Sequence, residues 1–154
     1  IDSLVDKRLD AIGTPDALAL RGRAAVAIGK LAYQRYGEVF GTPRFAALRA
    51  AGARPQYLLW ASTSTKNPAY PDLLYVEPLI GPETINTVPD ATLAAFRDHG
   101  KVASTIGEGA ADSRAAVDVL ARLGIDLETV GTQLQQEGLK QFEDAFAALL
   151  DSVK

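Results

Sequence analysis

Tyr57-Leu58-Leu59-Trp60-Ala61 runs directly into Ser62-Thr63-Ser64-Thr65-Lys66-Asn67-Pro68, and the change of character after Ala61 decides the fold. A short unbroken apolar run between Arg54-Pro55 and a polar cluster suits a parallel strand buried on both faces. Immediately upstream, Thr42 and Pro43 stand as N-cap and first residue of a helix that continues through Phe45 and Leu48 to Gly52. Helix, short turn and strand in that order form the αβ connection of a layered or barrelled α/β fold.

Working outward, residues 1–52 read as helical. Val5, Leu9 and Ile12 recur at helical spacing until Gly13 stops the first helix, and Asp16 is placed to cap a short continuation. From Arg21 to Phe40, the positions Ile28, Leu31, Ala32, Tyr36, Val39 and Phe40 form one stripe of a long amphipathic helix. Beyond the central strand, residues 73–80 fit a short helix limited by Pro78. Glu83 to Val88 has the β-branched enrichment of a second strand. Asp90 then caps a helix to His99, closed by Gly100. Asp112 or Ser113 caps another through Leu123, and Asp126 caps the next, with Leu127, Val130 and Leu134 inward. A last helix carries Leu139, Phe142, Phe146, Leu149, Leu150 and Val153 as a core or interface stripe. Two parallel strands are too few for a stable sheet, so further strands are expected from elsewhere.

Composition narrows the function. The chain of 154 residues is long enough for one domain with a real core, and 47% apolar with 23% charged is ordinary globular usage. Sixteen basic residues scattered among 19 acidic ones form no cluster of the kind that neutralises phosphates along a nucleic acid. Cysteine is absent and histidine occurs once, which excludes disulfides and a Cys nucleophile and makes a zinc site a poor fit. Apolar runs are far too short to span a bilayer, and no signal peptide is visible, so a cytoplasmic protein is the default expectation. The chain starts at Ile1 and contains no Met, which reads as a processed chain or part of a longer polypeptide.

Ligands of parallel α/β folds bind at the carboxyl ends of the strands. The residues placed there are four consecutive hydroxyls, Ser62 to Thr65, then Lys66 and Asn67. Hydroxyls and backbone N–H groups donate to phosphate oxygens and a lysine supplies a point charge, so the loop fits a phosphate cradle. A polar surface turn fits the same residues. Gly107-Glu108-Gly109 lacks both the preceding strand and the further glycine of a nucleotide-binding loop. His99 occupies a last-turn position that favours a cation.

The stretch Leu59-Trp60-Ala61-Ser62-Thr63-Ser64-Thr65-Lys66-Asn67-Pro68-Ala69-Tyr70 is followed by Tyr75, Leu79-Ile80-Gly81-Pro82-Glu83-Thr84-Ile85-Asn86-Thr87-Val88-Pro89 and Asp98-His99-Gly100. In order and spacing these segments closely resemble the bacterial type of transaldolase. The flanking helices, from Asp6-Lys7-Arg8-Leu9 to Glu137-Gly138 and Phe142, look similar too. The resemblance covers essentially the whole chain but only the C-terminal part of the family's length.

That resemblance implies an α/β fold: the C-terminal part of a TIM (β/α)8 barrel, mostly helical here, with barrel strands seven and eight as two short parallel strands. It implies a transferase of the pentose phosphate pathway that moves a dihydroxyacetone unit between sugar phosphates through a Schiff base. Sedoheptulose 7-phosphate and glyceraldehyde 3-phosphate would give erythrose 4-phosphate and fructose 6-phosphate, without a cofactor or metal. The Schiff-base lysine, the acid/base carboxylates and a phosphate-binding arginine would all lie upstream of Ile1. No catalytic residue is therefore expected within the chain, which alone would be inactive and would need the N-terminal remainder of the barrel as its partner. The strand-seven phosphate contact carries over as Ser64 and Lys66, with Lys66 where many relatives have arginine. Ser62 and Asn86 are expected to line the pocket, and Trp60 to pack within the barrel. Alternatives are a fragment of a fused transaldolase/glucose-6-phosphate isomerase and a non-catalytic helical interaction module.

Overall fold

The computed structural model describes residues 1–153; Lys154, where the sequence ends, lies outside the described residues. Its elements are helices α1 (Asp2–Ile12), α2 (Pro15–Leu18), α3 (Ala24–Phe40) and α4 (Pro43–Ala50), strand β1 (Leu58–Trp60), strand β2 (Thr84–Asn86), and helices α5 (Asp90–His99), α6 (Ala110–Arg122) and α7 (Leu127–Ser152).

Most helix ends follow from local chemistry. Gly13 closes α1 in the left-handed conformation, its N–H on the Leu9 carbonyl. Thr42 caps α4 by accepting from Phe45 N, with Pro43 as first helical residue. The Asp126 carboxylate accepts from Glu128 N and Thr129 N at the start of α7. At α2 the cap is Thr14 rather than Asp16, because Pro15 takes the first helical position and leaves Asp16 inside the first turn. Asp90 likewise lies within its helix, with Pro89 before it. Asp112 and Ser113 lie within α6, which starts after Gly109. The long helix expected from Arg21 begins at Ala24, since Gly22 at φ 70 turns the chain first. Residues 73–80 form turns ending in a single 3-10 turn, Glu77–Leu79, with Pro78 in it, instead of an α-helix.

The principal core joins elements from both ends of the sequence. Val5 and Leu9 of α1, Leu20, Ala24 of α3, Leu120 of α6, Ile125 and Val130 are buried together. α3 also packs along α6. The two helices expected between Asp126 and Val153 are one helix of 26 residues. Gly131 and Gly138 weaken it, but a glycine in a helix costs only about 1 kcal/mol and no proline breaks the run. Of α7, only Val130 is fully buried, with Leu127 and Leu134 packed beside it. The later stripe is exposed, Phe142 at 79% and Phe146 at 61%, so it is not core within this chain.

The strands are parallel, with Leu58 opposite Thr84, Leu59 opposite Ile85 and Trp60 opposite Asn86. Both are shorter than the sequence predicts, and β1 is not buried on both faces: Leu59 is 52% and Ile85 46% exposed. The reason is one-sided packing. Trp60 donates its indole N–H to the Leu79 carbonyl at 3.2 Å. Leu79 in turn lies on α3 at Gly29, where a Cβ would stand 2.8 Å from its methyl group. The paired row Leu59–Ile85 faces the other way and is uncovered.

Candidate functional site

The loop after β1 alternates in its commitments. Thr63 is buried and donates from Oγ1 to Asn86 Oδ1 at 2.9 Å, tying the loop to the end of β2. Thr65 donates to the Pro71 carbonyl at 2.9 Å. Asn67 accepts from Ala69 N through Oδ1 at 2.9 Å, and its carbonyl accepts from Tyr70 N. Ser62, Ser64 and Lys66 line a cavity of about 760 Å³, which Thr63 and Asn67 also border. Among the described residues, none of these three side chains has a hydrogen-bond or ion-pair partner. The first turn of the loop is strained. Ser62 holds φ 55, a left-handed conformation that is unusual and costly for a residue with a Cβ. Such outliers concentrate where a loop must present groups in one arrangement.

The structure thus brings together Ser62, Ser64 and Lys66 and leaves Asn86 apart from them. Asn86 lines a second, smaller cavity of about 370 Å³ with Trp60 and Phe96, and its side-chain oxygen serves as the acceptor for Thr63. Trp60 forms part of the wall of both cavities.

The opposite wall of the larger cavity was not anticipated from the sequence. Asp2, Asp6 and Asp10 of α1 line it, with Arg21, Tyr70 and Tyr75. Asp2 accepts from Ala25 N at 2.8 Å through one oxygen and from the Tyr75 hydroxyl at 2.8 Å through the other. Asp6 does the same with Gly22 N at 3.0 Å and the Tyr70 hydroxyl at 2.7 Å. Burial pushes the Asp2 carboxyl above its ordinary range, against the opposing pull of the Tyr75 and Ala25 hydrogen bonds. Burial, and the carboxylate each serves, raise both phenols, Tyr70 to about 12 and Tyr75 further. The signal available in the sequence was the pair Asp2 and Asp6, one turn apart on the face that buries Val5 and Leu9.

His99 ends α5 as expected, and its Nε2 lies 3.1 Å from Asp72 Oδ1, its Nδ1 3.1 Å from Asp98 Oδ2. The Asp72 and Asp98 carboxylates raise its pKa, so protonation favours this contact between α5 and the segment after the β1 loop. The stabilisation is present below the unfolded value of about 6.5 and is lost as pH rises through the higher folded value. Because the sequence has one histidine, its imidazole proton resonances give the titration directly. The expected midpoint lies above the ordinary histidine value and drops towards it in Asp72→Asn.

Elsewhere, Lys30 Nζ donates to the carbonyls of Thr105 and Glu108, which holds the Gly107–Gly109 loop against α3. No group of three or more His, Cys, Asp or Glu side chains among the described residues is placed to hold a metal ion. No helix among them is long and apolar enough to cross a membrane.

The carboxyl end of β1, one of two parallel strands, borders a mainly apolar cavity edged by hydroxyls, a lysine and carboxylates, and α/β barrels carry their ligand sites at that end of the strands. Residues 1–153 match the transaldolase/fructose-6-phosphate aldolase family, and the chain belongs to that family of TIM barrels. It is 56% identical over 153 residues to a transaldolase of Thiobacillus denitrificans (strain ATCC 25259 / T1), covering 99% of this chain and 43% of that protein. A transaldolase of Parafrankia sp. (strain EAN1pec) is 52% identical over 155 residues, covering 100% of this chain and 42% of its own length. One from Neisseria gonorrhoeae (strain ATCC 700825 / FA 1090) is 55% identical over 148 residues, with 96% and 41% covered. The chain therefore spans less than half the length of these relatives.

Proposed function

We propose that this chain is the C-terminal portion of a transaldolase barrel, contributing strands seven and eight and half of the sugar-phosphate pocket. In this reading the complete enzyme transfers a dihydroxyacetone unit from a ketose phosphate to an aldose phosphate. Sedoheptulose 7-phosphate and glyceraldehyde 3-phosphate give erythrose 4-phosphate and fructose 6-phosphate. The carrying observation is that Ser62, Ser64 and Lys66 line the cavity at the carboxyl end of β1 with polar groups that have no partner among the described residues.

Each part has a physical role. The Ser64 hydroxyl donates to a phosphate oxygen, and the Lys66 ammonium neutralises its charge. Ser62 lies one step deeper towards the strand and faces the sugar chain. Lys66 does not form the Schiff base, because such a lysine needs burial or neighbouring cations to free its amine at neutral pH, and Lys66 is exposed. The covalent step then belongs to a lysine on the part of the barrel outside this chain. The uncovered row Leu59–Ile85 supports the same division, since barrel interiors are filled by layers contributed by several strands.

Borohydride trapping with fructose 6-phosphate tests the reading. The 154-residue chain is expected to take up no label, and the complete barrel to take up label on a peptide outside this chain. Label on Lys66 in either sample would overturn the role given to it.

A further inference from the structure

Resting on the phosphate-site reading above, we infer that Tyr70 and Asp6 are positioning residues that hold the Ser64–Lys66 segment in its phosphate-binding arrangement. Neither touches the phosphate itself; they act through the loop.

The connection can be followed atom by atom. Lys66 is followed by Asn67, whose side-chain oxygen and carbonyl accept from Ala69 N and Tyr70 N, so residues 67–70 form one tight turn. Tyr70 ends that turn, and its hydroxyl reaches across the cavity wall to Asp6 Oδ2 at 2.7 Å. Asp6 is fixed from behind, because its other oxygen accepts from Gly22 N at 3.0 Å. Gly22 suits this position in backbone and in space. Its φ of 70 suits glycine, and a Cβ would stand 3.1 Å from the Tyr70 ring. The Tyr75–Asp2 pair repeats the device one helical turn away, with Asp2 accepting from Ala25 N near the uncapped start of α3.

At the other end, the loop is pinned by Thr63 on Asn86 and in its middle by Thr65 on the Pro71 carbonyl. Ser64 sits between these anchors. Lys66 sits between Thr65 and the Tyr70 turn, so the first side-chain tie downstream of it to another element is the Tyr70 hydroxyl on Asp6 of α1. Both residues of the Tyr70–Asp6 pair line the same cavity as Ser64 and Lys66, and Asp6 is only 8% exposed. Bonds that keep a binding loop in its bound shape raise affinity by removing ordering cost, without a new contact to ligand.

The experiment uses the complete enzyme and two probes, inorganic phosphate as competitive inhibitor and fructose 6-phosphate as substrate. Tyr70→Phe deletes one hydroxyl and keeps the ring. It is expected to raise the phosphate Ki and the fructose 6-phosphate KM in parallel by about fivefold, the scale of one lost hydrogen bond, with a smaller change in kcat. Asp6→Asn should move both in the same direction. Should that variant fail to fold, Tyr70→Phe alone decides. A lower melting temperature and reduced kcat with Ki and KM unmoved would show a merely structural role and overturn the inference.

Ser64→Ala and Lys66→Ala separate this inference from the reading beneath it. If they raise the phosphate Ki while Tyr70→Phe does not, the positioning role alone is wrong. If they leave it unchanged, the phosphate site and the inference fall together.

Discussion

Replacing Lys66 by alanine in the complete enzyme is expected to lower kcat/KM for fructose 6-phosphate by about a hundredfold, while unphosphorylated fructose is turned over with little change. A hydrogen bond involving a charged group contributes about 1.5–3 kcal/mol, and every ~1.4 kcal/mol is a factor of ten. Lys66 carries its charge into the cavity with no carboxylate partner among the described residues, so none of that contribution is already spent within the protein. The loss should fall mainly on KM, because phosphate lies far from the carbon that reacts and binds alike in ground and transition states. Lys66→Arg should retain most of the activity, since the cation is kept and a guanidinium can bind phosphate through two donors. Steady-state kinetics on the two sugars checks this directly. Equal losses on both would mean that Lys66 does not read the phosphate.

The part of this site carried by consecutive residues was legible in the sequence, and the part carried by distant ones was not. The loop of residues 62–67 stood out because a buried-type apolar run switches at Ala61 to hydroxyls and a cation, and the strand carboxyl end is where such folds bind ligands; the choice of Ser64 and Lys66 within it came from the family resemblance. Gly13, Thr42 with Pro43, and Asp126 were found for the same reason: a helix cap is settled within three residues. The wall opposite the loop depends on Tyr70 meeting Asp6 across 64 residues and Tyr75 meeting Asp2 across 73, and no local pattern encodes those pairings. Family resemblance supplied the phosphate roles that composition left open between a cradle and a surface turn. The expectation of two-sided burial for β1 failed differently. It treated the strand as though its sheet were complete, whereas these helices cover one face only and leave Leu59 exposed.

Leu9 and Phe142 give the sharpest contrast in stability. Both are large apolar residues on helical stripes, and the sequence treats both as candidates for burial. Leu9 has no exposed surface and packs with Val5, Leu120, Ile125 and Val130, whereas Phe142 is 79% exposed. Leu9→Ala removes buried methyl groups from the junction of α1, α6 and α7 and leaves a cavity; such substitutions cost about 2–5 kcal/mol. That is a large share of the roughly 5–15 kcal/mol by which a domain is stable. Phe142→Ala should shift the unfolding free energy of the 154-residue chain by no more than about 0.5 kcal/mol, as exposed substitutions do. Urea unfolding followed by far-UV circular dichroism, with equal m-values in all variants, measures both. The same Phe142 substitution in the complete enzyme then reports on the C-terminal stripe. A cost above about 2 kcal/mol there would mean that Phe142 is covered by the rest of the barrel or by a second subunit. A small effect in both forms would leave the stripe without a structural partner and overturn its reading as an interface.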